Sequence, residues 1–213
     1  VSQTPSDPRF RALFTATDGH VMCGADLSGI ELRMLAHYLA RYDGGRYADI
    51  LLTGDIHQVN ADKIGISRRQ VKTVSYAFLY GAGDQKLGIS VDPGLSPSKA
   101  KKKGKEIRAA YVEAIDGLDQ LLKAVKSRGE QGFIKGIDSR KILVDSPHKA
   151  LNYLLQGSAG IIAKRQMVIA HQLFKQINVH THQLGFIHDE LQFECHPNDI
   201  NDVKFTLELS AVK

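Results

Sequence analysis

Two acidic positions in the chain could together hold metal ions. Residues 20–27 are typical of a buried strand, and Asp26 lies near its end. A hairpin is predicted over residues 183–194 with its tight turn at His188 and Asp189, and Glu190 lies beside this turn. Two carboxylates at neighbouring strand ends suit a pair of Mg²⁺ ions, which prefer oxygen ligands and can activate one oxygen while stabilising another that leaves. The alternative is that each aspartate is only a turn or helix-capping residue.

A second pattern combines positive charge with aromatic rings. Arg68, Lys72, Tyr76 and Tyr80 recur every four residues within a predicted helix over residues 67–80, so they form one slowly winding face. Cations near the start of a helix favour an anion such as a triphosphate, and aromatic rings favour a nucleobase. The alternative is a solvated helix face without a ligand, because the same helix has apolar residues for a core face.

The composition permits a polyanionic partner without requiring one. The 213 residues include 28 Lys and Arg against 23 Asp and Glu, which gives a net charge of +5. The densest basic segment, residues 99–105, is either a solvated helix face or a phosphate contact. No stretch is apolar enough to span a membrane and no secretory signal is visible, so we expect a cytoplasmic protein without a membrane partner. Cys23 and Cys195 are expected to be free thiols.

The order of the predicted elements indicates an α+β fold with one domain inserted into another. After the first strand and a helix that begins near residue 30, we predict helices over residues 55–64, 67–80 and 98–128, with a loop at 88–97. A hairpin over 132–144, a long helix from 146 to about 176, the hairpin over 183–194 and a last helix from 197 follow. The first strand and the last hairpin are expected to share one sheet, and the helices between them to form a separate lobe.

Three long motifs carry a resemblance to a known family. They are Asp26–Arg33 (DLSGIELR), Arg68–Gly81 (RRQVKTVSYAFLYG) and Phe186–Leu191 (FIHDEL). Shorter matches are Gly54–His57, Ser146–His148 and Asn152–Ala159. In this order and at this spacing the motifs resemble the family A DNA polymerases over nearly the whole chain, and most closely the branch of the short-tailed phages.

The resemblance implies a polymerase palm, an antiparallel sheet with helices, into which a mainly helical fingers subdomain is inserted. Residues 1–34 and 146–213 would form the palm and residues 35–145 the fingers, with thumb and exonuclease domains absent. The implied activity is template-directed transfer of nucleotides from dNTPs to a primer 3′-OH with two Mg²⁺ ions. The implied partners are primer–template DNA and dNTPs, and a processivity factor that binds a thumb would be a further one.

The resemblance also implies which residues carry the chemistry. Asp26, Asp189 and the main-chain carbonyl of Leu27 would bind the two metal ions. Glu190 would tune the site beside the primer end. Lys72 would bind the triphosphate and protonate the pyrophosphate that leaves.

Other matching positions would bind the substrates. Arg68 and His57 would contact the triphosphate. Tyr76 would stack near the sugar and base, and together with Glu31 it would exclude ribonucleotides. The positions implied at the primer–template or next to it are Tyr80, Gly81, Arg33, His148, Asn152, Gln156 and His188.

Three other functions stay open at this point. A single-subunit RNA polymerase has the same plan, although Glu31 and Tyr76 would block a 2′-hydroxyl. A truncated fragment would bind nucleotide or primer–template without activity of its own. A two-metal nuclease would use the acidic residues but leaves the basic and aromatic helix unexplained.

Overall fold

The computed structural model describes residues 4–5 and 7–212 and has an α+β fold. Its strands are β1 Val21–Asp26, β2 Phe133–Lys135, β3 Lys141–Leu143, β4 Thr181–Ile187 and β5 Glu190–Cys195. Its helices are α1 Pro8–Arg11, α2 Ile30–Asp43, α3 Arg46–Thr53, α4 Ile56–Ile64, α5 Arg68–Leu79, α6 Asp84–Val91, α7 Pro97–Ala114, α8 Leu118–Gly129, α9 Ala150–Ile177 and α10 Ile200–Val212. Among the described helices, none is long and apolar enough to cross a membrane.

The first strand and the last hairpin share one antiparallel sheet, as the sequence predicts. The strand order is β1-β5-β4, and a separate two-stranded hairpin is made by β2 and β3. In the larger sheet Ile187 pairs with Glu190, which leaves His188 and Asp189 as a two-residue turn. His188 has a φ of 59°, in the left-handed region that tight hairpin turns use.

The chain forms two compact units. One contains the described residues up to Ile30 and those from Ala159 onward, and the other is Glu31–Ser158. The expected boundaries between palm and fingers come after residues 34 and 145, whereas the two units are divided after Ile30 and after Ser158. The first expected boundary is therefore a few residues away from the observed one, and the second is 13 residues away. The names palm and fingers therefore remain predictions for the two units.

One face of the sheet in the first unit is buried against two helices. Its core consists of Cys23, Leu191, Phe193 and Cys195 from the strands, Ala170 and Phe174 from α9, and Val203 and Leu207 from α10. Both cysteines are free thiols, as predicted, and burial raises the pKa of each. On the opposite face Met22 and Leu184 are 39% and 46% exposed, so this face is accessible from solvent.

A buried carboxylate ties the segment before β1 to the sheet. The Glu194 side chain is 6% exposed and lies 3.1 Å from His182 Nδ1. Its two oxygens accept hydrogen bonds from the Thr17 amide at 2.8 Å and the Thr17 hydroxyl at 3.0 Å. The pKa of Glu194 is lowered from 4.5, chiefly by the bond from the Thr17 amide.

This contact predicts a pH-dependent contribution to stability. Because folding lowers the pKa of Glu194, the folded chain binds this proton less tightly, and the stabilisation is complete above pH 4.5 and lost as the pH falls below it. Glu194→Gln should therefore lower Tm at pH 7, and its difference from the wild type should shrink towards pH 3. Thermal unfolding between pH 3 and pH 8 measures this, with Glu208→Gln on the exposed face of α10 as control. A Tm difference that is constant with pH would contradict the prediction.

The predicted helices over 55–64 and 67–80 are confirmed, but one neighbouring helix was missed and two neighbouring predictions were wrong. Helix α3 was not predicted, although Asp43 starts it by accepting hydrogen bonds from the Gly45 and Tyr47 amides, both at 2.8 Å. The predicted loop at 88–97 begins too early, because α6 continues through Gly88 to Val91. The single helix predicted over 98–128 is two helices, α7 and α8, which are separated at Gly117 with its φ of 81°.

Candidate active site

The acidic residues converge at one end of the three-stranded sheet. Asp26, the last residue of β1, pairs with Glu190, the first residue of β5. Antiparallel partners have Cα atoms about 4.5–5.5 Å apart, and Asp189 directly precedes Glu190 in the turn. Glu190 also accepts a hydrogen bond from the Gln192 side chain. The fold thus brings Asp26 to the same sheet end as Asp189 and Glu190, which are more than 160 residues away in the sequence.

The donor set at this end of the sheet suits Mg²⁺. Among the residues that the structure describes, no three His, Cys, Asp or Glu side chains are grouped so as to hold a metal ion by themselves. Mg²⁺ usually binds only one or two protein carboxylates and completes its shell with water or substrate phosphates. The Leu27 carbonyl accepts the Ile30 amide at 3.3 Å, and a carbonyl has a second lone pair. Asp26, Asp189 and the Leu27 carbonyl therefore fit the ion as oxygen ligands.

A cleft of about 780 Å³ lies on the accessible face of the sheet, beside the acidic turn. Its walls include Arg11 and Phe14 before β1, Met22 on β1, and His188 and Glu190 at the turn. The lining combines apolar side chains with the cation of Arg11 and the carboxylate of Glu190, so the cleft can accept a ligand that has both apolar and charged parts.

Helix α5 presents the predicted basic and aromatic face. The helix begins with a capping box, in which the Ser67 hydroxyl accepts from the Gln70 amide and the Gln70 side chain accepts from the Ser67 amide. Its core face is buried and consists of Val71, Val74, Ser75, Phe78 and Leu79. The opposite face bears the exposed side chains of Arg68, Lys72 and Tyr80 and the half-buried ring of Tyr76.

An ion pair holds the first residue of this face. Arg68 Nε donates to Asp55 Oδ2 at 2.6 Å, and this bond is the largest cause of the lowered pKa of Asp55. Asp55 also caps α4 by accepting from the His57 and Gln58 amides, each at 3.1 Å. Both partners of the pair are about half exposed, so the pair orients Arg68 without contributing much stability. The sequence reasoning identified Asp55 as a cap but missed its pairing with Arg68.

His57 lies beside the same helix face as a neutral imidazole. Its side chain is 9% exposed, and burial, followed by the nearby positive charge of Arg68, lowers its pKa below 6.5. Its ring centroid is 6.3 Å from that of Tyr76. At neutral pH this histidine can therefore hydrogen-bond a phosphate oxygen but does not add positive charge.

The carboxyl end of α5 is held by contacts from two other helices. Tyr80 Oη donates to Glu31 Oε1 at 2.5 Å, which links the end of α5 to the start of α2. Asn152 Nδ2 donates to the Leu79 carbonyl at 2.5 Å. Gly81 follows with a φ of 73°, a left-handed conformation that ends the helix. The structure thus brings together three predicted positions, Tyr80, Gly81 and Asn152, with Glu31.

The remaining predicted positions are exposed side chains. Asp26, Glu190, Asp189, Leu27 and His188 belong to the unit that contains the sheet, and the other predicted positions belong to the unit Glu31–Ser158. The side chains of Arg33, His148, Gln156 and His188 are exposed. Arg33 lies on α2, Gln156 on α9, His148 in the helical turn before α9, and His188 in the turn between β4 and β5.

A comparison with models of known protein families shows to which family this chain belongs. The family model described as DNA polymerase family A matches residues 2–211. The chain belongs to DNA polymerase family A. This agrees with the resemblance carried by the three motifs.

Phage enzymes are prominent among the relatives of this family A chain. The DNA-directed DNA polymerase of Escherichia phage T7 is 36% identical over 91% of the chain, and that of Enterobacteria phage T3 is 37% identical over 84%. The chain spans 30% and 28% of the lengths of these two relatives. In fold it is similar to a structure named "POL domain of Pol1 from M. smegmatis complex with DNA primer-template and dNTP", with a TM-score of 0.81, 24% identity, and coverage of 99% of this chain and 41% of that one.

The family A chain has one bracing residue that the sequence reasoning missed. Arg108 of α7 donates from Nη2 to the Ala82 carbonyl and from Nε to Asp84 Oδ1, both at 2.6 Å. Its guanidinium also lies 5.5 Å from the centre of the Phe78 ring. It therefore fixes the turn after α5, at the edge of a cleft of about 590 Å³ that includes His148. Only the position of Arg108 among apolar helix residues could have indicated a partner in a neighbouring element.

Proposed function

We propose that this chain is the core of a template-directed DNA polymerase that transfers nucleotides from dNTPs to a primer 3′-OH. Membership of DNA polymerase family A supports this, as do the names of its phage relatives, which are DNA-directed DNA polymerases. The solved structure of similar fold is described as a complex with primer–template and dNTP, which supports DNA and dNTPs as the ligands. We also propose action in the host cytoplasm for a phage-encoded protein, and a processivity factor bound through a thumb as a further partner.

The observation that carries the proposal is the pairing of Asp26 with Glu190 beside Asp189 at one sheet end. Asp26, Asp189 and the Leu27 carbonyl would hold two Mg²⁺ ions. When bound, such ions activate the attacking hydroxyl, stabilise the leaving oxygen and neutralise phosphate charge. Glu190 adjusts the charge of the site and is itself oriented by Gln192.

The exposed face of α5 would bind the incoming nucleotide. Arg68, which Asp55 orients, and Lys72 bind the triphosphate oxygens, because both cations lie near the amino end of the helix. Neutral His57 adds a hydrogen bond to phosphate, and Tyr76 stacks against the sugar and base. Lys72 also donates a proton to the pyrophosphate that leaves.

The turn after α5 and the first turns of α9 would contact the primer–template. Tyr80 and Gly81 check the template base. Asn152 supports both residues, because its side chain donates to the Leu79 carbonyl at the end of α5. The exposed side chains of His148 and Gln156 in this unit, and that of His188 at the acidic turn, contact the primer–template, while Arg33 braces the first motif. A net charge of +5 favours such a polyanionic ligand.

Primer extension tests the proposed function. A labelled primer–template is incubated with the complete protein and Mg²⁺, with either four dNTPs or four rNTPs, and primer length is followed. Extension with dNTPs only is the expected result. Equal extension with rNTPs would support an RNA polymerase instead. In a parallel assay of the 213-residue chain alone, binding of primer–template without extension would support a binding fragment.

The Glu31 side chain is expected to restrict the enzyme to deoxynucleotides. Tyr80 holds the Glu31 carboxylate in place, so that it would crowd the 2′ position of the sugar. In the complete protein, Glu31→Ala should raise the kcat/KM for rNTPs relative to dNTPs by about tenfold or more, the range that steric discrimination supplies. Single-nucleotide incorporation kinetics measure the ratio. Glu106→Ala, an exposed glutamate on α7, is the control, and an unchanged ratio for Glu31→Ala would remove this residue from sugar selection.

A further inference from the structure

Strand β1 contains a glycine that its backbone conformation does not require. Gly24 does not have a positive φ, and it pairs with Gln192 in the middle of the antiparallel ladder between β1 and β5. A glycine inside a strand lowers stability, because it loses more conformational freedom on folding than any other residue and offers no side chain for packing. Such a glycine often marks a position where another group closely approaches the backbone. A neighbouring group is therefore expected to occupy the space above Gly24.

The Gln192 carboxamide is this group. A Cβ atom at position 24 would lie 2.6 Å from Gln192 Nε2, which is closer than a Cβ atom approaches a nonbonded atom. It would also lie 3.1 Å from both Cδ and Oε1 of the same side chain. Gly185 is opposite Gln192 on β4, but a Cβ atom there would be 4.0 Å from Gln192 Cβ, an ordinary contact. Of these two glycines, only Gly24 is needed for the observed position of the amide.

From this position the amide holds the side chain of Glu190. Gln192 Nε2 donates to Glu190 Oε1, and the two residues lie two positions apart on the same face of β5, where both line the cleft. Asp26 lies directly opposite Glu190 on β1, and like charges in such a pair repel each other. Gln192 follows Glu190 along β5, whereas Asp189 precedes it. The hydrogen bond therefore holds the Glu190 carboxylate towards Gln192 and away from the turn that contains Asp189.

We propose that Gly24 and Gln192 are positioning residues that keep the Glu190 carboxylate away from the ions that Asp26 and Asp189 would hold, a role that rests on the proposed function. Mg²⁺ usually binds only one or two protein carboxylates and completes its shell with water or substrate phosphates. A third carboxylate at the same ions would take a place that a phosphate oxygen needs. The Gln192 amide holds this third carboxylate at the wall of the cleft instead, and Gly24 provides the space for the amide.

Crystal structures of the complete protein without ligands test the positioning itself. In Gly24→Ala the new Cβ atom should displace the Gln192 amide and break its bond to Glu190, while the strand is kept because only the end of a flexible side chain has to move. Gln192→Met removes the donor at similar size and should also release Glu190. Gly185→Ala is the matched control and should leave the bond in place. If Glu190 keeps its position in both Gly24→Ala and Gln192→Met, the proposal is wrong.

Binding of Mn²⁺, a paramagnetic substitute for Mg²⁺, tests the consequence for the ions. We expect tighter Mn²⁺ binding to the complete protein in Gln192→Met, because the released Glu190 becomes available as a further oxygen ligand. Adding Glu190→Gln to this variant should return the affinity to that of the wild type. Titration followed by electron paramagnetic resonance, without DNA, measures the affinity. An Mn²⁺ affinity that is unchanged in Gln192→Met would overturn the proposal.

Single-nucleotide incorporation tests the effect on the reaction. Gly24→Ala and Gln192→Met should each lower kcat by about 10–100-fold, the range found for residues that orient groups at a metal site, and should change the KM for primer–template little. The double variant should be no slower than either single variant, because both act through one hydrogen bond. Losses that multiply in the double variant would contradict this. If the wild type extends no primer, the proposed function fails, whereas the position of Glu190 and the Mn²⁺ affinity still decide this proposal.

Discussion

Asp189→Ala in the complete protein is expected to reduce primer extension by roughly 10³-fold or more, while primer–template binding changes little. Asp189 lies in the two-residue turn directly before Glu190, which pairs with Asp26. Its carboxylate would be one of two that hold the metal ions, and an ion at a phosphoryl oxygen supplies several kcal/mol of transition-state stabilisation. Rapid-quench measurement of single-nucleotide incorporation gives the rate of the chemical step.

A matched substitution separates this effect from damage to the fold. Asp202→Ala removes an exposed carboxylate from α10 in the same unit and should keep the wild-type rate. Asp26→Ala should resemble Asp189→Ala, and the double variant should be little slower than either, because residues that act as one unit are not additive. If Asp189→Ala extends primers at a near wild-type rate, the proposed metal site is wrong.

The sequence predicted the sheet end well because its signals are local. A strand that ends in Asp26 and a hairpin whose turn contains Asp189 are each visible within a few residues. The order of the elements predicted that they share one sheet, but no local pattern says that β5 lies between β1 and β4. The register that places Asp26 opposite Glu190 is a property of the folded sheet alone.

Glycines caused two of the errors in the helical unit. Gly88 was interpreted as a loop residue, yet it lies within α6, where a side chain would overlap the Ala100 backbone of α7. Gly104 of α7 meets the Asp84 backbone in the same way. These two glycines allow two helices to approach closely, and their role is visible only when the partner helix is known. Gly117, in contrast, has a positive φ and does interrupt a predicted helix.

Partners of charged residues could not be predicted either. Helix α4 separates Asp55 from Arg68 in the sequence. Helix α6 and the first part of α7 separate the Ala82 carbonyl from Arg108, which donates to it. Spacing in a sequence indicates which residues share a helix face, but it does not indicate what faces them from another helix. The contacts that orient the predicted nucleotide face are therefore findings of the structure.

Lys72→Ala in the complete protein is expected to lower kcat by about 10²–10⁴-fold and to raise the KM for dNTPs. Lys72 is exposed on the same face of α5 as Arg68, and it would combine two roles there. As a cation it would bind the triphosphate, and as a general acid it would protonate the pyrophosphate, an effect of about 10²–10⁴-fold. Pre-steady-state incorporation at several dNTP concentrations separates affinity from rate.

Lys72→Arg distinguishes the two roles. Arginine keeps the positive charge, but its very high pKa makes it a poor proton donor. We therefore expect near wild-type dNTP affinity with a chemical step that remains slow. Arg69→Ala, which removes an exposed cation from another face of the same helix, should change neither quantity. If Lys72→Arg restores the rate completely, Lys72 acts only through its charge, and the leaving pyrophosphate takes its proton from elsewhere.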